Sequence, residues 1–406
     1  METDQPPSGL NRSRWTREAK FLYLMVSALL GLACFLLVRA AVPFNQDFRA
    51  FYAAGQMILH SPSHLYDLRS QQQWQSAAAG GPLALPFFHP AYEALLYAPL
   101  TLFSFRSGYL LYAVVNMALL GICYAISPAD NSPFAALERR PLLFFLSFPL
   151  LLAVFVGQNS LWMLLVLSLV FPAILRGRDH AAGALLGLIA FKLAIVVPLA
   201  LLLSVRRGRR FALSFALTFA LCIGLSVGLT GMDATRDFLH LLAGATLASS
   251  HTVKAQVTTA VWLHSMPNLS GLMYLLGSGN LPAHVAFALN ATLSVAVLGG
   301  FAWIVRGTRD EAAAYSAAII AAVLVSPHLY LYDLAALVLP LLLLQHRMLK
   351  YVGVVWFLLP PALYLYGQLR WLAPAVVVPL ALAAICIAEF RRQSSACRDV
   401  APAEFA

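Results

Sequence analysis

Apolar segments long enough to cross a lipid bilayer recur along most of this chain. The first, residues 21–42, is an almost unbroken apolar run, and a bilayer core takes roughly 20 helical residues to cross. Of the 406 residues, 61% are hydrophobic and 11% are charged, whereas a soluble domain carries about 25% charged residues. The run is too long for the apolar part of a cleavable signal peptide, about 7–15 residues. The sequence therefore predicts an all-α polytopic membrane protein that retains its first helix.

Basic residues lie mainly in the short turns between apolar segments. The chain has 27 lysines and arginines against 17 aspartates and glutamates, a formal net charge of +10. Clusters at 206–210, 346–350 and 391–392 follow the positive-inside rule, and they argue against nucleic acid as a partner. The basic residues of segment 12–20 place the N-terminus in the cytoplasm by the same rule.

The pattern predicts about twelve transmembrane helices. Their expected positions are 21–42, 93–105, 107–126, 141–156, 160–175, 182–205, 211–230, 283–305, 311–326, 330–345, 351–366 and 372–390. We expect a cytoplasmic N-terminus at 1–20, a single membrane domain at 21–390 and a cytoplasmic tail at 391–406. Basic residues at 139–140 and 176–178 would fall outside under strict alternation, so tilted, broken or re-entrant helices are expected between 93 and 205.

Two stretches are not transmembrane, and strict alternation places both on the outer face. They are 43–92 and 231–282, which contain charged and aromatic residues and helix-breaking proline and glycine. In the first, 48–59 and 71–79 are expected to form short interfacial helices. Two ordered outer loops over a helical bundle form a lid, which a simple channel does not need.

The candidate for chemistry in the first outer loop is Asp47. It follows the first apolar segment closely, and an ionised carboxylate beside hydrocarbon loses hydration energy. Nearby lie Arg49 and Tyr52, with His89 further along the loop. A carboxylate beside cations suits a general base acting on a hydroxyl while the cations hold a phosphate. The alternative is a solvated aspartate at the membrane boundary.

Further candidates interrupt or end apolar segments. Lys192 lies within an apolar run, where an unpaired ammonium is costly, although its long side chain could instead extend to the interface. His328 is expected at the outer end of a helix pair, where it either neutralises phosphate charge or caps a turn. Gln158 and Asn159 either line a polar cavity or cap two short helices.

Several function classes lack their sequence signals. The chain has no P-loop, no GxGxxG before a helix and no HExxH, which argues against a nucleotide-driven pump. Four of the five cysteines, Cys34, Cys123, Cys222 and Cys386, lie in apolar runs and have no metal-ligand spacing. We therefore expect neither a metal nor another cofactor.

Taken in order, these motifs resemble a known family. Asp47-Phe-x-x-Phe-Tyr-x-Ala-Gly55 and Leu65-Tyr-Asp67 are similar to the first outer loop of the DUF2029 membrane glycosyltransferases, glycosyltransferase family 87. His89-Pro90, Ala98-Pro99-Leu100, Gly157-Gln158-Asn159, Lys192, Asn268-Leu-Ser and Ser326-Pro-His328 follow in the family's order. The resemblance covers about residues 20–345 and implies a GT-C-type fold.

The resemblance also implies a reaction. An inverting transferase of this family takes a hexose, most often mannose, from a polyprenyl-phosphate donor and attaches it to an acceptor hydroxyl on the outer face. Asp47 matches the family's catalytic aspartate and is expected to act as the general base. His328, Arg49 and Lys192 are the expected donor phosphate-binding residues. The expected substrate-binding residues are Tyr52, His89, Gln158 and Asn268.

The chain departs from the family pattern at three places. His89-Pro90 stands where many relatives have an aromatic residue and two prolines, and His60-Ser-Pro-Ser-His64 replaces a simpler glycine-containing turn. The spacing from Lys192 to Pro198 is longer than the tight pairing of many members. These departures leave the sugar and the role of Lys192 open.

Other functions remain alternatives at this stage. Polar breaks in membrane helices also suit a secondary transporter or a flippase for lipid-linked sugars, and the chain could be a non-catalytic scaffold. A GT-C transferase of arabinofuranose or glucose would share the same base. The expected partners are the polyprenyl-phosphate sugar, a glycolipid, polysaccharide or other glycan acceptor, and the lipid bilayer. The expected location is a bacterial inner membrane, with the site facing the periplasm or exterior; the alternative is an endoplasmic-reticulum membrane.

Overall fold

The computed structural model describes residues 46–80, 85–127, 140–247, 253–254, 257–258, 265–276, 283–367 and 373–399. The predicted N-terminal segment 1–20 and the first span 21–42 lie outside these residues. Regular secondary structure in the described part is helical apart from one antiparallel pair of two-residue strands, β1 Val253–Lys254 and β2 Val257–Thr258. The predicted all-α class is confirmed there.

The helices follow one another through short connections. In chain order they are α1 Gln46–His60, α2 Leu68–Ala79, α3 Ala94–Tyr97, α4 Phe105–Ile126, α5 Arg140–Phe145, α6 Phe148–Val156, α7 Ser160–Leu175, α8 Asp179–Leu188, α9 Leu193–Arg207, α10 Arg209–Thr230, α11 Met232–Leu247, α12 Leu269–Leu275, α13 Ala283–Gly307, α14 Glu311–Val325, α15 Val338–Leu343, α16 Leu349–Gly367 and α17 Val377–Asp399. Turns of 3₁₀ helix occupy Pro62–His64, Ala91–Glu93, Ala98–Leu102, Ala190–Lys192, Leu331–Leu337 and Ala373–Val376.

Several of these helices are long enough to span a membrane. Within the described residues, four qualify singly: Phe105–Ile126, Arg209–Thr230, His284–Gly307 and Ala373–Gln393. Asp179–Leu188 and Ala190–Arg207 qualify together but are bent by 72°, which makes up to five spans. The shorter apolar helices are Arg140–Val156, Ser160–Leu175, Glu311–Val325, Leu331–Leu343 and Leu349–Leu363. The described part of the chain thus has the character of an integral membrane protein, but it does not reach the predicted count of about twelve.

The region between 93 and 205, where interrupted helices were predicted, does contain them. The expected span at 93–105 consists of α3 with a turn of 3₁₀ helix on each side, and α5 and α6 are separate helices within 140–156. The bend between α8 and α9 falls inside the predicted span at 182–205. Each break leaves backbone groups without helical partners, so polar side chains are needed close by.

A buried helix lies at the centre of the bundle. Every residue of α14 from Ala313 to Val325 is buried, and most of them are small. Helices α9, α13, α15 and α17 pack against it. Small side chains let helix backbones approach closely, which is the main way apolar helices associate in lipid.

The helices α8 and α10 make a second close contact. Gly183 and Gly187 are one helical turn apart on α8, and a Cβ on either would collide with α10. Their spacing is that of the small-xxx-small pattern of membrane helix pairs. This contact fixes α8, the first helix of the bent pair α8 and α9, against α10.

The segment predicted to be the first outer loop packs into the bundle. The predicted interfacial segments 48–59 and 71–79 correspond to α1 and α2. On α1, the ring of Phe48 lies 5.4 Å from that of Tyr109 and 5.6 Å from that of Tyr112. A Cβ on Gly55 would lie 2.9 Å from the backbone carbon of Tyr97. The helix α1 therefore packs against α4 through Phe48 and against α3 through Gly55.

Two buried glutamines of α2 hold the end of the same loop. Gln71 donates to the Leu65 carbonyl (2.7 Å) and accepts from the Phe87 amide (2.8 Å). Gln75 bonds both backbone groups of Leu85, at 2.7 and 3.1 Å. An extended segment without helical partners is thereby fixed in place.

The helix α6 ends at Gly157, which has a left-handed φ of 71°. The Gly157 amide bonds the Val154 carbonyl (3.2 Å) and the Gln158 amide bonds the Ala153 carbonyl (2.8 Å), which is the Schellman arrangement. A Cβ at Gly157 would lie 2.7 Å from Cβ of Phe48. Glycine is required here both for the backbone angle and for the approach of α1.

We expect Gly157→Ala to destabilise the protein by at least about 2 kcal/mol, because it adds left-handed backbone strain to a steric collision. The check is the Tm of the purified protein in one detergent. Gly121→Ala is the matched control, since a Cβ at Gly121 in α4 meets nothing within 4 Å. An equal Tm for both variants would contradict the described contact.

Candidate active site

A cavity of about 170 Å³ lies between α1, the extended segment before α3 and the breaks in the helices. Such a space holds on the order of ten water molecules. Its polar lining residues are Asp47, His89, Gln158, Lys192, His328 and Asp333. The other lining residues are Ala50, Phe51, Leu85, Pro86, Phe87, Phe88, Phe191, Leu193, Ala194, Ile195, Leu242, Tyr330 and Tyr332.

Three consecutive residues after Gly157 each donate a hydrogen bond to a different carboxylate. Gln158 Nε2 donates to Asp47 Oδ2 (3.1 Å), Asn159 Nδ2 to Glu93 Oε1, and Ser160 Oγ to Asp333 Oδ1 (2.8 Å). They stand at the start of α7, where the helix dipole also favours negative charge. Gln158 lines the cavity, whereas Asn159 is the N-cap residue of α7 and makes no capping bond with its side chain.

Asp47 is the carboxylate among these that faces the cavity without a paired cation. Its side chain is half-buried, and burial raises its pKa to about 6 despite the hydrogen bond from Gln158 and the more distant charge of Lys192. A carboxylate with a pKa near neutrality, in a cavity, can accept a proton at physiological pH.

Lys192 forms an ion pair with Asp333. Its Nζ lies 2.6 Å from Asp333 Oδ1, and the side chains are 9% and 4% exposed. The backbone amide of Tyr330 donates to the other carboxylate oxygen at 3.2 Å. Lys192 is therefore neutralised inside the bundle, so the alternative of extending to the interface does not apply.

The bend that positions Lys192 is held by Tyr92. Its hydroxyl donates to the Leu188 carbonyl (2.8 Å) and accepts from the Phe191 amide (3.0 Å). These two backbone groups lie on either side of the break between α8 and α9. One side chain thus satisfies a donor and an acceptor that the missing helical turn leaves open.

His89 forms a pair with Glu93. Nδ1 of His89 lies 2.7 Å from Oε2 of Glu93, four residues later. Glu93 is fully buried, whereas His89 is 19% exposed and lines the cavity. The Tyr66 hydroxyl donates to the carbonyl of His89 at 2.9 Å, which fixes the backbone of the pair.

His328 lines the cavity from the segment that follows α14. Burial lowers its pKa to about 4, so the imidazole is neutral at pH 7. Tyr330 packs edge-on against the ring, with centroids 4.9 Å apart. The expected role in neutralising phosphate charge therefore applies only when a bound anion itself favours the protonated form.

Three of the predicted site residues are not among those lining the cavity. Tyr52 donates to the Phe103 carbonyl (2.7 Å) and is buried. Asn268 caps α12 and donates to the Ser326 carbonyl (2.7 Å), which ties α12 to the segment carrying His328. Arg49 is half-buried on α1 and is also outside the lining. The structure gives Tyr52 and Asn268 supporting contacts.

Sequence reasoning missed the roles of Asp333 and Glu93. Asp333 lies inside the apolar segment predicted at 330–345, and an acid in such a run is itself a signal of a buried partner. Glu93 gives no such signal, because its four-residue spacing from His89 also suits a solvated helix turn. Among the described residues, no group of three or more histidines, cysteines, aspartates or glutamates could hold a metal ion.

Comparison with known proteins gives one match. The model of a family described as glycosyltransferase family 87 matches residues 87–327. This range contains His89, Gln158 and Lys192; Asp47 lies before it and His328 just after it. No curated protein and no solved structure matches the chain.

We expect Asp333→Asn to destabilise the protein by about 3–5 kcal/mol, because it leaves a buried ammonium without its counter-charge. The double variant Lys192→Met/Asp333→Leu should recover much of that loss, since it buries no charge. Thermal unfolding in detergent is the measurement. For comparison, Asp233→Asn breaks the exposed pair with Arg236 and should change stability by under about 1 kcal/mol. A wild-type Tm for Asp333→Asn would be incompatible with a buried pair.

Proposed function

Because the chain belongs to glycosyltransferase family 87, we propose that it is an inverting transferase with Asp47 as its general base. It moves a hexose, mannose in the first instance, from a polyprenyl-phosphate donor to an acceptor hydroxyl. The observation that supports this most directly is a cavity-facing carboxylate whose pKa burial raises to about 6. The proposed location is a bacterial inner membrane with the cavity facing the periplasm.

The proposed reaction is a single displacement. The acceptor oxygen attacks the anomeric carbon, and its proton passes to Asp47 Oδ1 or Oδ2. The bond from the anomeric carbon to the phosphate oxygen breaks, and its electron pair stays on the phosphate. One base suffices for this inversion, whereas retention by double displacement needs a nucleophile about 5 Å from an acid/base partner.

The walls of the cavity fit a donor with a polar head and an apolar tail. Most of the lining residues are apolar or aromatic, including Phe87, Phe88 and Phe191. Sites for small ligands commonly combine such walls with a few convergent polar groups. The acceptor is proposed to be a glycolipid, a polysaccharide or another glycan.

Membership of a glycosyltransferase family favours transfer over transport or a scaffold role. The identity of the transferred sugar is a separate question, because transfer of arabinofuranose or glucose would use the same general base. Parallel donors carrying mannose, glucose and arabinofuranose would identify it, and we propose mannose.

We expect Asp47→Asn to lower transfer about 10²–10⁴-fold, since an amide keeps the shape but cannot accept the proton. The measurement is incorporation of radiolabelled mannose from polyprenyl-phosphate mannose, in membranes with matched protein levels. Asp67→Asn is the control in the same loop, because asparagine caps a helix as well as aspartate does and Asp67 caps α2. Equal transfer by wild type and Asp47→Asn would rule out Asp47 as the base.

The pH profile of kcat/KM offers a second test. A base with its pKa raised to about 6 is protonated below that pH, so kcat/KM should rise as the pH increases through 6. Gln158→Met removes the hydrogen bond that lowers the pKa of Asp47, so the rising limb should move to higher pH. Gln73→Met changes an exposed glutamine of α2 and should leave the limb in place. If the rising part of the Gln158→Met profile stays at the pH of the wild type, the hydrogen bond from Gln158 to Asp47 is contradicted.

A further inference from the structure

The charges around the cavity leave an anionic donor without an obvious cation. Of the described residues that line it, Lys192 is the one lysine or arginine, and Asp333 compensates its charge at 2.6 Å. Asp47 adds negative charge in its ionised form, which is the form that can accept a proton. His328 adds no positive charge at neutral pH, because its pKa is lowered to about 4. A phosphate bound here needs positive charge from another group.

The pair of His89 and Glu93 can supply this positive charge. Glu93 is fully buried, with Oε2 against Nδ1 of His89 (2.7 Å) and Oε1 accepting from the Asn159 amide. The Tyr97 hydroxyl also lies 3.4 Å from Oε1. A buried carboxylate this close to an imidazole nitrogen offers the ring a counter-charge and limits its orientation, as in other carboxylate–histidine pairs.

The histidine of this pair is the member that reaches the cavity. His89 lines it and remains 19% exposed, while Phe51 packs edge-on against its ring at 5.3 Å between centroids. The ring is therefore confined by an aromatic neighbour and by Glu93 at Nδ1, and the exposed part of the side chain borders the cavity. His89 also stands where the sequence departs from the family pattern.

We propose that His89, in its protonated form, binds the phosphate of the lipid donor and that Glu93 is its positioning residue. This inference rests on the proposed function, because it takes a prenyl phosphodiester as the donor. The phosphate carries one negative charge in the donor and gains a second as the bond to the anomeric carbon breaks. The imidazolium stabilises that gain by a charge-assisted hydrogen bond, and no proton has to pass to the leaving group.

The test is direct binding of methyl farnesyl phosphate, a diester whose single negative charge does not change over the working pH range. The full chain in detergent is titrated by calorimetry at several pH values, in an Asp47→Asn background that removes both catalysis and the titration of Asp47. The other titratable side chains that line the cavity are Lys192, Asp333, His328, Tyr330 and Tyr332. The same titration of a His328→Gln variant distinguishes the contribution of His328 to the pH dependence from that of His89.

In that background, affinity should fall as the pH rises and His89 loses its proton. His89→Gln should weaken binding at low pH by about 10–100-fold, the worth of a hydrogen bond to a charged group, and flatten the pH profile. Glu93→Gln should shift the fall in affinity to lower pH. His89→Lys carries a permanent charge, so it should restore binding without the pH dependence. The Tm of each variant shows whether it is folded.

Opposite outcomes separate the two proposals. If the diester binds equally with His89→Gln at every pH, or if His328→Gln removes the pH dependence, the role of His89 is overturned and the transferase proposal stands. If the Asp47→Asn protein does not bind the diester, the lipid-phosphate donor is overturned. Dimethyl phosphate is the second probe. Affinity equal to that of the farnesyl ester would mean a site for free phosphate rather than for a lipid.

Discussion

The placement of three carboxylates in an apolar bundle, with Glu93 and Asp333 buried and Asp47 half-buried, is the constraint on which the site depends. Each buried ion loses several kcal/mol of hydration, which hydrogen bonds and counter-charges must offset. The break after Gly157 provides three donors in a row, one for each of Asp47, Glu93 and Asp333. These carboxylates come from segments far apart in the chain, so a single helix start brings together α1, the turn Ala91–Glu93 and the turn Leu331–Leu337.

The three carboxylates differ in how their charge is compensated, and this difference separates their proposed roles. Asp333 is paired with Lys192, which makes it a structural anchor for the bend between α8 and α9. Glu93 is paired with His89 and has no exposure. Asp47 has an amide rather than a cation as its nearest partner, and its pKa is raised accordingly. A group destabilised in its ionised form is the one suited to take a proton.

Much of the fold was accessible from the sequence, and less of the site. Apolar periodicity located helices near the predicted positions from 107 onward, and the polar breaks predicted interrupted helices before 205. It could not show where the predicted span at 182–205 bends between α8 and α9, because apolar runs do not record bends. Arg49 and Tyr52 were assigned by nearness in sequence to Asp47. On a helix that packs against others, neighbouring side chains point to different surroundings.

The sequence by itself determined that this chain is an all-helical membrane protein of a glycosyltransferase family, because composition, apolar run length and motif order are properties of the linear chain. The tertiary structure alone decided which polar residues meet. The partners of Lys192 and Asp47 lie 141 and 111 residues away along the chain. Desolvation then sets the charge of each group, and it depends on the packing around the side chain rather than on its neighbours in sequence.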